Sequence, residues 1–306
     1  MKLKRKIISV IAAGALCMES VLACANGAID NVIRNDSNTK KYALIFAPGK
    51  NDDEKILKDS FDEGTKNSFL IAIANIYNSL KKAGYNKIEV LYNDGTIDKS
   101  EQRDHDKIEA LANEQFTNQR RAATSENLDS MIGQFKETIK EDDEFVFVMM
   151  NHGHKDGLTS YIEVFPKRGE KDRLYPEQLL EKVTGIRAKK QLYVIEACYS
   201  GHFGDVLGTG NRAVLTSSES YSPSIISRVD QFSRFFFDAL VNDGSDKDND
   251  CKISISEAFE NAEKRRKPYL GQHEKEGHLK FYKRNGFFGK SYNLRTNNHI
   301  MYRIKR

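Results

Sequence analysis

The chain has 306 residues, of which 39% are hydrophobic and 30% are charged, a length that suits one large domain or one domain with additions. Its formal net charge of +4 is concentrated at the start, in Lys2, Lys4, Arg5 and Lys6. Without residues 1–23, which also contain Glu19, 44 basic and 43 acidic residues remain. A net charge so close to zero over residues 24–306 does not support nucleic-acid binding.

The first 23 residues have the pattern of a secretory signal peptide, with a basic start, an apolar run and small residues. Two interpretations of its processing are open. Val21-Leu22-Ala23-Cys24 resembles a bacterial lipobox, in which Cys24 is lipidated, whereas Ala23-Cys24-Ala25 fits ordinary cleavage. An uncleaved membrane anchor is disfavoured because the apolar run is shorter than the roughly 20 residues that span a bilayer. We therefore predict an exported protein, either a lipoprotein of a bacterial cell envelope or a secreted one.

The first half of the body alternates strand and helix patterns after a polar linker at residues 24–40. Lys41–Ala47 is an apolar run closed by a Pro-Gly pair, which predicts a buried first strand. Helical spacing follows at residues 64–83, and a second strand is predicted at 87–92. Residues 98–123 are highly charged and lack a clear apolar face. We interpret them as a surface insertion that is partly helical.

The second half continues this alternation. Thr124 or Ser125 is predicted to cap a helix that runs to Lys140. Glu144–Met150 is almost entirely apolar, which indicates a strand buried on both faces, as in a parallel sheet. The remaining elements are a hairpin around 161–165, a short helix from Pro176, strands at 191–195 and 212–216, and helices at 229–242 and 256–266. Strands alternating with helices predict an α/β fold with an open, mainly parallel sheet and helices on both faces.

Two of the buried strands end in reactive side chains, His152 and Cys198. Open α/β sheets bind ligands at the carboxyl ends of their strands, and neighbouring strands lie about 5 Å apart. If these strands are neighbours, the imidazole can take the thiol proton and later protonate a leaving amine. The backbone N–H groups of Gly153 and Cys198 are then the natural donors to the oxyanion of a tetrahedral intermediate.

Other interpretations of Cys198 stay open at this stage. A buried free cysteine is often a small hydrophobic residue, and a disulfide with Cys251 is feasible because the other two cysteines belong to the leader. A zinc site is weaker because two further ligands at suitable spacing are not apparent. His154 and His202 are interpreted as surface loop residues. The Asn-His-Gly sequence at the end of a second buried strand favours the nucleophile.

His152-Gly153, with Asp156-Gly157 just beyond, and Glu196-Ala197-Cys198-Tyr199-Ser200-Gly201 together resemble the two motif blocks of the legumain-type (C13) cysteine peptidases. The resemblance covers roughly residues 41–265 and implies a caspase-like fold. It implies that Cys198 is the nucleophile, that His152 is the general acid/base, and that the amides of Gly153 and Cys198 form the oxyanion hole. The implied activity is a cysteine endopeptidase that cleaves proteins or peptides and needs no cofactor for the chemistry.

Departures from the family pattern leave the cleavage specificity open. Asn151 stands where legumains usually have Asp, and no arginine follows the first strand in the position that binds substrate. Glu196 is expected to line the first specificity pocket, together with Ser217, Ser218 and Glu219 after the fifth strand. Glu219 there would favour a basic substrate side chain, and the alternative is a solvated loop carboxylate.

Residues 246–257 (DKDNDCKISISE) have the ligand spacing of an EF-hand calcium loop. Cys251 stands where glycine normally permits the sharp turn, at a cost on the order of 1 kcal/mol. The alternative is an acidic helix-capping loop without an ion. If Ca²⁺ binds, we expect a structural role, because nothing places this loop at the active site. The predicted ligands at positions 1, 3, 5, 7, 9 and 12 are Asp246, Asp248, Asp250, the Lys252 carbonyl, Ser254 and Glu257.

We place a caspase-like peptidase domain at residues 41–266 and interpret 267–306 as a basic C-terminal extension. Two alternatives to hydrolysis are a transpeptidase of the same fold, in which an amine resolves the thioester, and a catalytically silent calcium-binding or interaction protein. A nucleotide-binding site is weakly supported because no glycine-rich loop follows the first strand. The predicted partners are a protein or peptide substrate, and a membrane only through a lipid anchor.

Overall fold

The computed structural model describes residues 39–48, 68–97, 105–115, 121–165, 172–221, 223–224, 232–248, 253–270, 280–283, 291–297 and 299–305. The predicted signal peptide, Cys24 and most of the predicted linker lie outside these ranges. Asp250, Cys251 and Lys252 of the predicted calcium loop also lie outside them.

Five parallel strands form the body of the central sheet: β1 (Lys41–Ala47), β2 (Lys87–Tyr92), β3 (Glu144–Met150), β7 (Lys190–Glu196) and β8 (Arg212–Thr216). A sixth strand, β9 (Lys280–Lys283), pairs antiparallel with β8 at the edge, inside the segment interpreted from sequence as an extension. The spatial order is β2-β1-β3-β7-β8-β9. The mainly parallel α/β sheet predicted from the sequence is therefore confirmed.

Seven α-helices lie among the described residues: α1 (Ser68–Lys82), α2 (His105–Gln115), α3 (Ser125–Thr138), α4 (Pro176–Val183), α5 (Gly201–Leu207), α6 (Phe232–Ala239) and α7 (Ile255–Leu270). The N-cap of α3 is Thr124, whose side chain accepts from the Asn127 N–H, as the sequence predicts. A short 3₁₀ turn at Asp243–Ser245 separates α6 from the acidic loop before α7. No described helix combines the length and the apolarity needed to cross a bilayer.

The helices cover both faces of the sheet, and the strands supply a core to each. Along β1, Ala43 and Ile45 belong to one buried cluster, while Tyr42 and Leu44 belong to the other. This alternation follows from the two-residue period of a strand. Helices α1, α2, α6 and α7 pack into the first cluster, and α3, α4 and α5 pack into the second. The sheet is thus buried on both faces, which explains its nearly continuous apolar strands.

The charged stretch at 98–123 contains a helix that contributes to the core. Ile108 and Leu111 of α2 are fully buried in the cluster shared with α1. On the outer side, Glu114 accepts a hydrogen bond from the Tyr77 hydroxyl and pairs with Lys81 at 2.9 Å. The apolar stripe of α2 is only two turns long, so the surrounding charges obscure it in the sequence.

A three-stranded antiparallel sheet projects from the end of β3. Its strands are β4 (Gly153–Asp156), β5 (Thr159–Glu163) and β6 (Arg173–Leu174), in that order. The predicted hairpin is present, but it starts directly after His152, well before the predicted position. A separate two-stranded antiparallel pair, β10 (Ser291–Asn297) and β11 (His299–Lys305), follows β9.

Candidate active site

The register between β3 and β7 brings the two predicted catalytic residues to one edge of the sheet. The strands are parallel neighbours, and Met150 lies beside Glu196 as their last registered pair. The Asn151 N–H then donates to the Glu196 carbonyl at 3.2 Å. His152 and Cys198 each follow two residues after this last pair, so their backbones leave the sheet side by side. The strands before His152 and Cys198 are therefore neighbours, as the two side chains require if they are to act as a pair.

Gly153 packs directly against the backbone of Cys198. A Cβ atom at this position would lie 2.0 Å from the Cys198 carbonyl oxygen and 3.1 Å from its nitrogen. No real Cβ makes such a contact, so this approach requires glycine. The backbone N–H groups of Gly153 and Cys198 both act on the Cys198 thiol and lower its pKa. The two amides predicted to form the oxyanion hole therefore interact electrostatically with the sulfur.

The Cys198 thiol is free and partly buried. Burial raises its pKa, and hydrogen bonds from the Ser224, Gly153 and Cys198 amides lower the pKa by less than burial raises it. The Ser224 N–H donates to Sγ at 3.3 Å, and the thiol donates to the Ser224 carbonyl, also at 3.3 Å. In the resting site Cys198 is therefore a neutral thiol, which needs a base to become a thiolate.

His152 is held against the first helix. Its ring lies edge-to-face on the ring of Phe69 in the first turn of α1, with ring centroids 5.7 Å apart and an interplanar angle of 87°. Phe69 is fully buried, so it gives the imidazole a rigid wall. The sequence predicts only a helix around Phe69, because the contact with His152 depends on how α1 crosses the sheet.

The hydroxyls of Ser217 and Ser218 contact the loop that carries Cys198. Both are buried and hold the loop that carries the nucleophile. The Ser217 hydroxyl accepts from the Ala197 N–H at 3.1 Å, while the Ser218 hydroxyl donates to the Ala197 carbonyl at 2.9 Å and accepts from the Ser200 N–H at 3.0 Å. These hydrogen bonds hold the Cys198 loop in place, and the role of the two serines in substrate binding stays a prediction.

The nucleophile loop also has a strained backbone. Tyr199 has a φ of 59°, the left-handed region that non-glycine residues rarely adopt. Directly afterwards, Gly201 opens α5, and a Cβ there would lie 2.2 Å from the Ser220 nitrogen. The hydrogen bonds to Ser218 thus fix a turn that would otherwise relax, and they keep Cys198 at the exit of β7.

Glu196 has a different contact from the one that the sequence predicted. Its side chain is 1% exposed, and its carboxylate accepts from the N–H groups of Phe232 at 2.9 Å and Ser233 at 3.2 Å. The Ser233 hydroxyl donates to the same carboxylate. These groups belong to the first turn of α6, where a negative charge is stabilised by the helix dipole. Glu196 therefore anchors the start of α6, and its role in the specificity pocket stays a prediction.

The exposed rim of the site carries an aromatic cluster. Tyr221 is 64% exposed, and the Lys155 ammonium lies 5.3 Å from its ring centroid. His202 contacts the same ring edge-to-face at 5.2 Å. His154 stacks on Tyr161 at 5.2 Å, on the hairpin. Both histidines interpreted as surface residues are therefore in aromatic contacts outside the His152–Cys198 pair. Glu219, predicted to bind substrate, is partly exposed between Ser218 and this rim.

Part of the predicted calcium loop is described, and its carboxylates converge. Oxygen atoms of Asp246, Asp248 and Glu257 all lie within 4.8 Å of one another. Ser254 donates to Glu257 from its N–H and its hydroxyl, both at 2.8 Å, and the Lys247 N–H donates at 2.8 Å. Burial raises the pKa of Glu257, but these hydrogen bonds outweigh it and the pKa falls below its usual range. Oxygen ligands of this kind suit a hard cation such as Ca²⁺.

Two comparisons with known proteins bear on the site. The family model described as the peptidase C13 family matches residues 72–284, more than two thirds of the chain. The matched range begins in α1 and ends just after β9, and it includes both His152 and Cys198. A search of curated proteins found no significant match.

Proposed function

The chain belongs to the peptidase C13 family, a family of cysteine peptidases, and from this premise we propose that it is an endopeptidase that acts through a thioester on Cys198. His152 serves as general acid/base in this proposal. The observation that carries it is the β3–β7 register, which ends both strands beside each other two residues before these side chains. Proteins or peptides are the substrate class that the family supports.

The reaction follows from the groups present. His152 takes the proton from the neutral thiol, and the resulting thiolate attacks the scissile carbonyl carbon. The carbonyl oxygen becomes an oxyanion, which the N–H groups of Gly153 and Cys198 stabilise. His152 returns the proton to the leaving amine, and the acyl group remains on Sγ as a thioester. His152 then deprotonates a water molecule, which attacks the thioester and regenerates the thiol.

A peptide library with every residue type at the cleavage position tests this proposal. Residues 25–306 should turn over at least one member, Cys198→Ala should abolish turnover, and Cys251→Ala, the matched cysteine control, should retain it. Turnover that persists in Cys198→Ala would overturn the proposal. No turnover, together with no labelling of Cys198 by a thiol-reactive peptide probe, would favour the silent interaction protein. Mass spectrometry with an added amine peptide distinguishes hydrolysis from ligation, which would identify a transpeptidase.

We also propose that residues 1–23 direct export and that Cys24 is lipidated, on the basis of the lipobox-like sequence alone. Expression of the full chain in a bacterium, followed by mass spectrometry of the mature N-terminus, tests both points. A diacylglyceryl-modified Cys24 that is absent in Cys24→Ser supports the lipoprotein. An unmodified N-terminus near Ala25 supports secretion, and an intact leader contradicts the export proposal.

A structural Ca²⁺ in the 246–257 loop is proposed from the EF-hand spacing, with the convergence of Asp246, Asp248 and Glu257 as support. Calcium titration by calorimetry and thermal unfolding with and without Ca²⁺ test it. We expect Ca²⁺ to raise the unfolding temperature of the wild type and of Glu260→Gln, a nearby control, but not of Glu257→Gln. If Ca²⁺ does not change the unfolding temperature of the wild type, the result would favour an acidic helix-capping loop without an ion.

A further inference from the structure

The connection between β8 and α6 is tied to three consecutive residues at the end of β7. The backbone of Ala197 is hydrogen-bonded to the Ser217 and Ser218 hydroxyls at the start of the connection. The Cys198 sulfur is hydrogen-bonded to the backbone of Ser224 farther along. The Glu196 carboxylate accepts hydrogen bonds from the N–H groups of Phe232 and Ser233, where α6 begins. The nucleophile is therefore the middle of three attachment points.

Ser224 presents both of its backbone polar groups to the sulfur. Its N–H and its carbonyl oxygen each lie 3.3 Å from Sγ. The residue is 9% exposed, and its hydroxyl donates to the Ser217 carbonyl at 3.5 Å. An extended residue points its N–H and C=O to the same side, as it does towards a partner strand. Here the partner is the catalytic thiol.

The two groups favour different protonation states of Cys198. A thiol can donate to the carbonyl and accept from the N–H, so both bonds are satisfied in the resting site. A thiolate can only accept, so it keeps the N–H bond and loses the bond to the carbonyl. A hydrogen bond to the charged form of a group favours that form. The Ser224 N–H therefore stabilises the reactive state of the nucleophile.

The other donors at the sulfur have a second task. The amides of Gly153 and Cys198 also lower the pKa of the thiol in the free site. In the proposed reaction both must turn to the oxyanion of the substrate, which forms next to the attacked carbon. When substrate is bound, the Ser224 N–H is therefore the described amide that remains with the sulfur.

We propose that the backbone N–H of Ser224 is a catalytic group, which stabilises the Cys198 thiolate during attack on the substrate. This inference rests on the proposed function, because a thiolate matters only if Cys198 is the nucleophile. Neither motif block contains Ser224, and its side chain has no part in the effect. A proline at this position therefore removes the group, whereas an alanine retains it.

The titratable groups around the thiol define what a pH profile reports. His152 arrives from the end of β3, beside Cys198. The Glu196 carboxylate, two residues before Cys198, is directed to the N-terminus of α6. His202, on α5, is directed to Tyr221, and Glu219 lies partly exposed on the loop after β8. A profile measured on Ser224 variants leaves all four groups unchanged, so the difference between variants isolates the amide.

The test is the rate at which iodoacetamide alkylates Cys198, measured across pH for the wild type, Ser224→Pro and Ser224→Ala. We expect Ser224→Pro to move the midpoint to higher pH and to slow alkylation below the midpoint about tenfold, because a hydrogen bond to a charged group is lost. Ser224→Ala should stay within about twofold of the wild type, since it keeps the N–H. Peptide turnover should follow, with kcat reduced in Ser224→Pro and KM unchanged.

Two results would overturn the inference. Equal profiles for Ser224→Pro and Ser224→Ala would show that the amide does not act on the sulfur, and faster alkylation of Ser224→Pro would show that Ser224 shields the thiol. If Ser224→Pro fails to fold, a semisynthetic protein with a backbone ester at Ser224 removes the N–H without constraining φ, and it carries the same expectations. Alkylation needs no peptide turnover. A wild type that is alkylated as expected but cleaves no peptide would therefore refute the proposed function and leave the Ser224 contact intact.

Discussion

Replacing Gly153 with alanine tests the geometry of the site most directly. The added Cβ would lie 2.0 Å from the Cys198 carbonyl oxygen and 2.9 Å from its carbonyl carbon. An ordinary contact needs roughly 3.4 Å or more, so the two backbones must separate by about 1 Å or more. Overpacking of this kind costs about 1–3 kcal/mol of stability. The separation also moves one predicted oxyanion donor away from the thiol.

The kinetic effect should exceed the effect on stability. Loss of one oxyanion donor costs about 10²- to 10³-fold in kcat, and a misplacement of about 1 Å can cost about 10²-fold. We therefore expect Gly153→Ala to lower kcat/KM by at least about 100-fold on the best library peptide, with most of the loss in kcat. The fold should persist, because the overpacking cost is smaller than the usual stability of about 5–15 kcal/mol.

The control is Gly133→Ala, in the middle of α3. A Cβ there meets nothing within 4 Å, and the residue has an ordinary helical backbone. It should raise the free energy of unfolding by about 0.5–1 kcal/mol and leave turnover unchanged. Gly153→Ala with turnover within tenfold of the wild type, in a protein of normal thermal stability, would refute the proposed oxyanion hole.

Three further predictions follow from contacts near the nucleophile. Glu196→Gln should lower the free energy of unfolding by about 1–2 kcal/mol, measured by urea denaturation, because a neutral amide holds the first turn of α6 less well than a carboxylate; an unchanged midpoint would contradict the anchoring role. Ser218→Ala should lower the free energy of unfolding by about 1–3 kcal/mol and lower kcat more than it raises KM, because the Ala197 carbonyl and the Ser200 N–H lose their partner. A change in KM alone would favour the substrate-binding prediction. The buried Cys198 thiol has a raised pKa, so it contributes stability that is fully present below its unfolded-state pKa, near 9.0, and is lost as pH rises through the folded-state pKa. Thermal unfolding should therefore show the wild type losing stability relative to Cys198→Ser on the alkaline side of that value, and parallel curves for the two proteins would count against it.

The sequence could predict the strands and the positions of His152 and Cys198 at their ends because both depend on local patterns. Glu144–Met150 is apolar at nearly every position, and only a strand covered on both faces buries such a run. His152 and Cys198 were found because each directly follows such a strand. By contrast, β9 has four residues with lysine at both ends, and it becomes a strand only by pairing with the edge of β8. No local signal in its sequence marks that pairing.

The partners of the predicted pocket residues could not be read from the sequence, for one physical reason. Whether Glu196 faces a pocket or a helix terminus depends on where α6 begins, 36 residues later in the chain. Whether Ser217 and Ser218 face substrate or the nucleophile loop depends on β8 lying beside β7. Hydrogen bonds between such distant segments leave no periodicity in the sequence. The partners of these residues could therefore be identified only in three dimensions.

The attachment of the β8–α6 connection to β7 has a consequence for the continuity of the chain. Near the middle of the connection, Ser224 is hydrogen-bonded to Cys198. At its end, Phe232 and Ser233 are hydrogen-bonded to Glu196. A break in the peptide backbone between these attachments would leave Ser224 and Phe232, the described residues on either side of it, hydrogen-bonded to the end of β7 and the residues that follow it. The two fragments would remain joined through the sheet, because β8 stays paired with β7 and α6 stays packed in the core. The covalent link across this interval is therefore not what keeps the nucleophile in place.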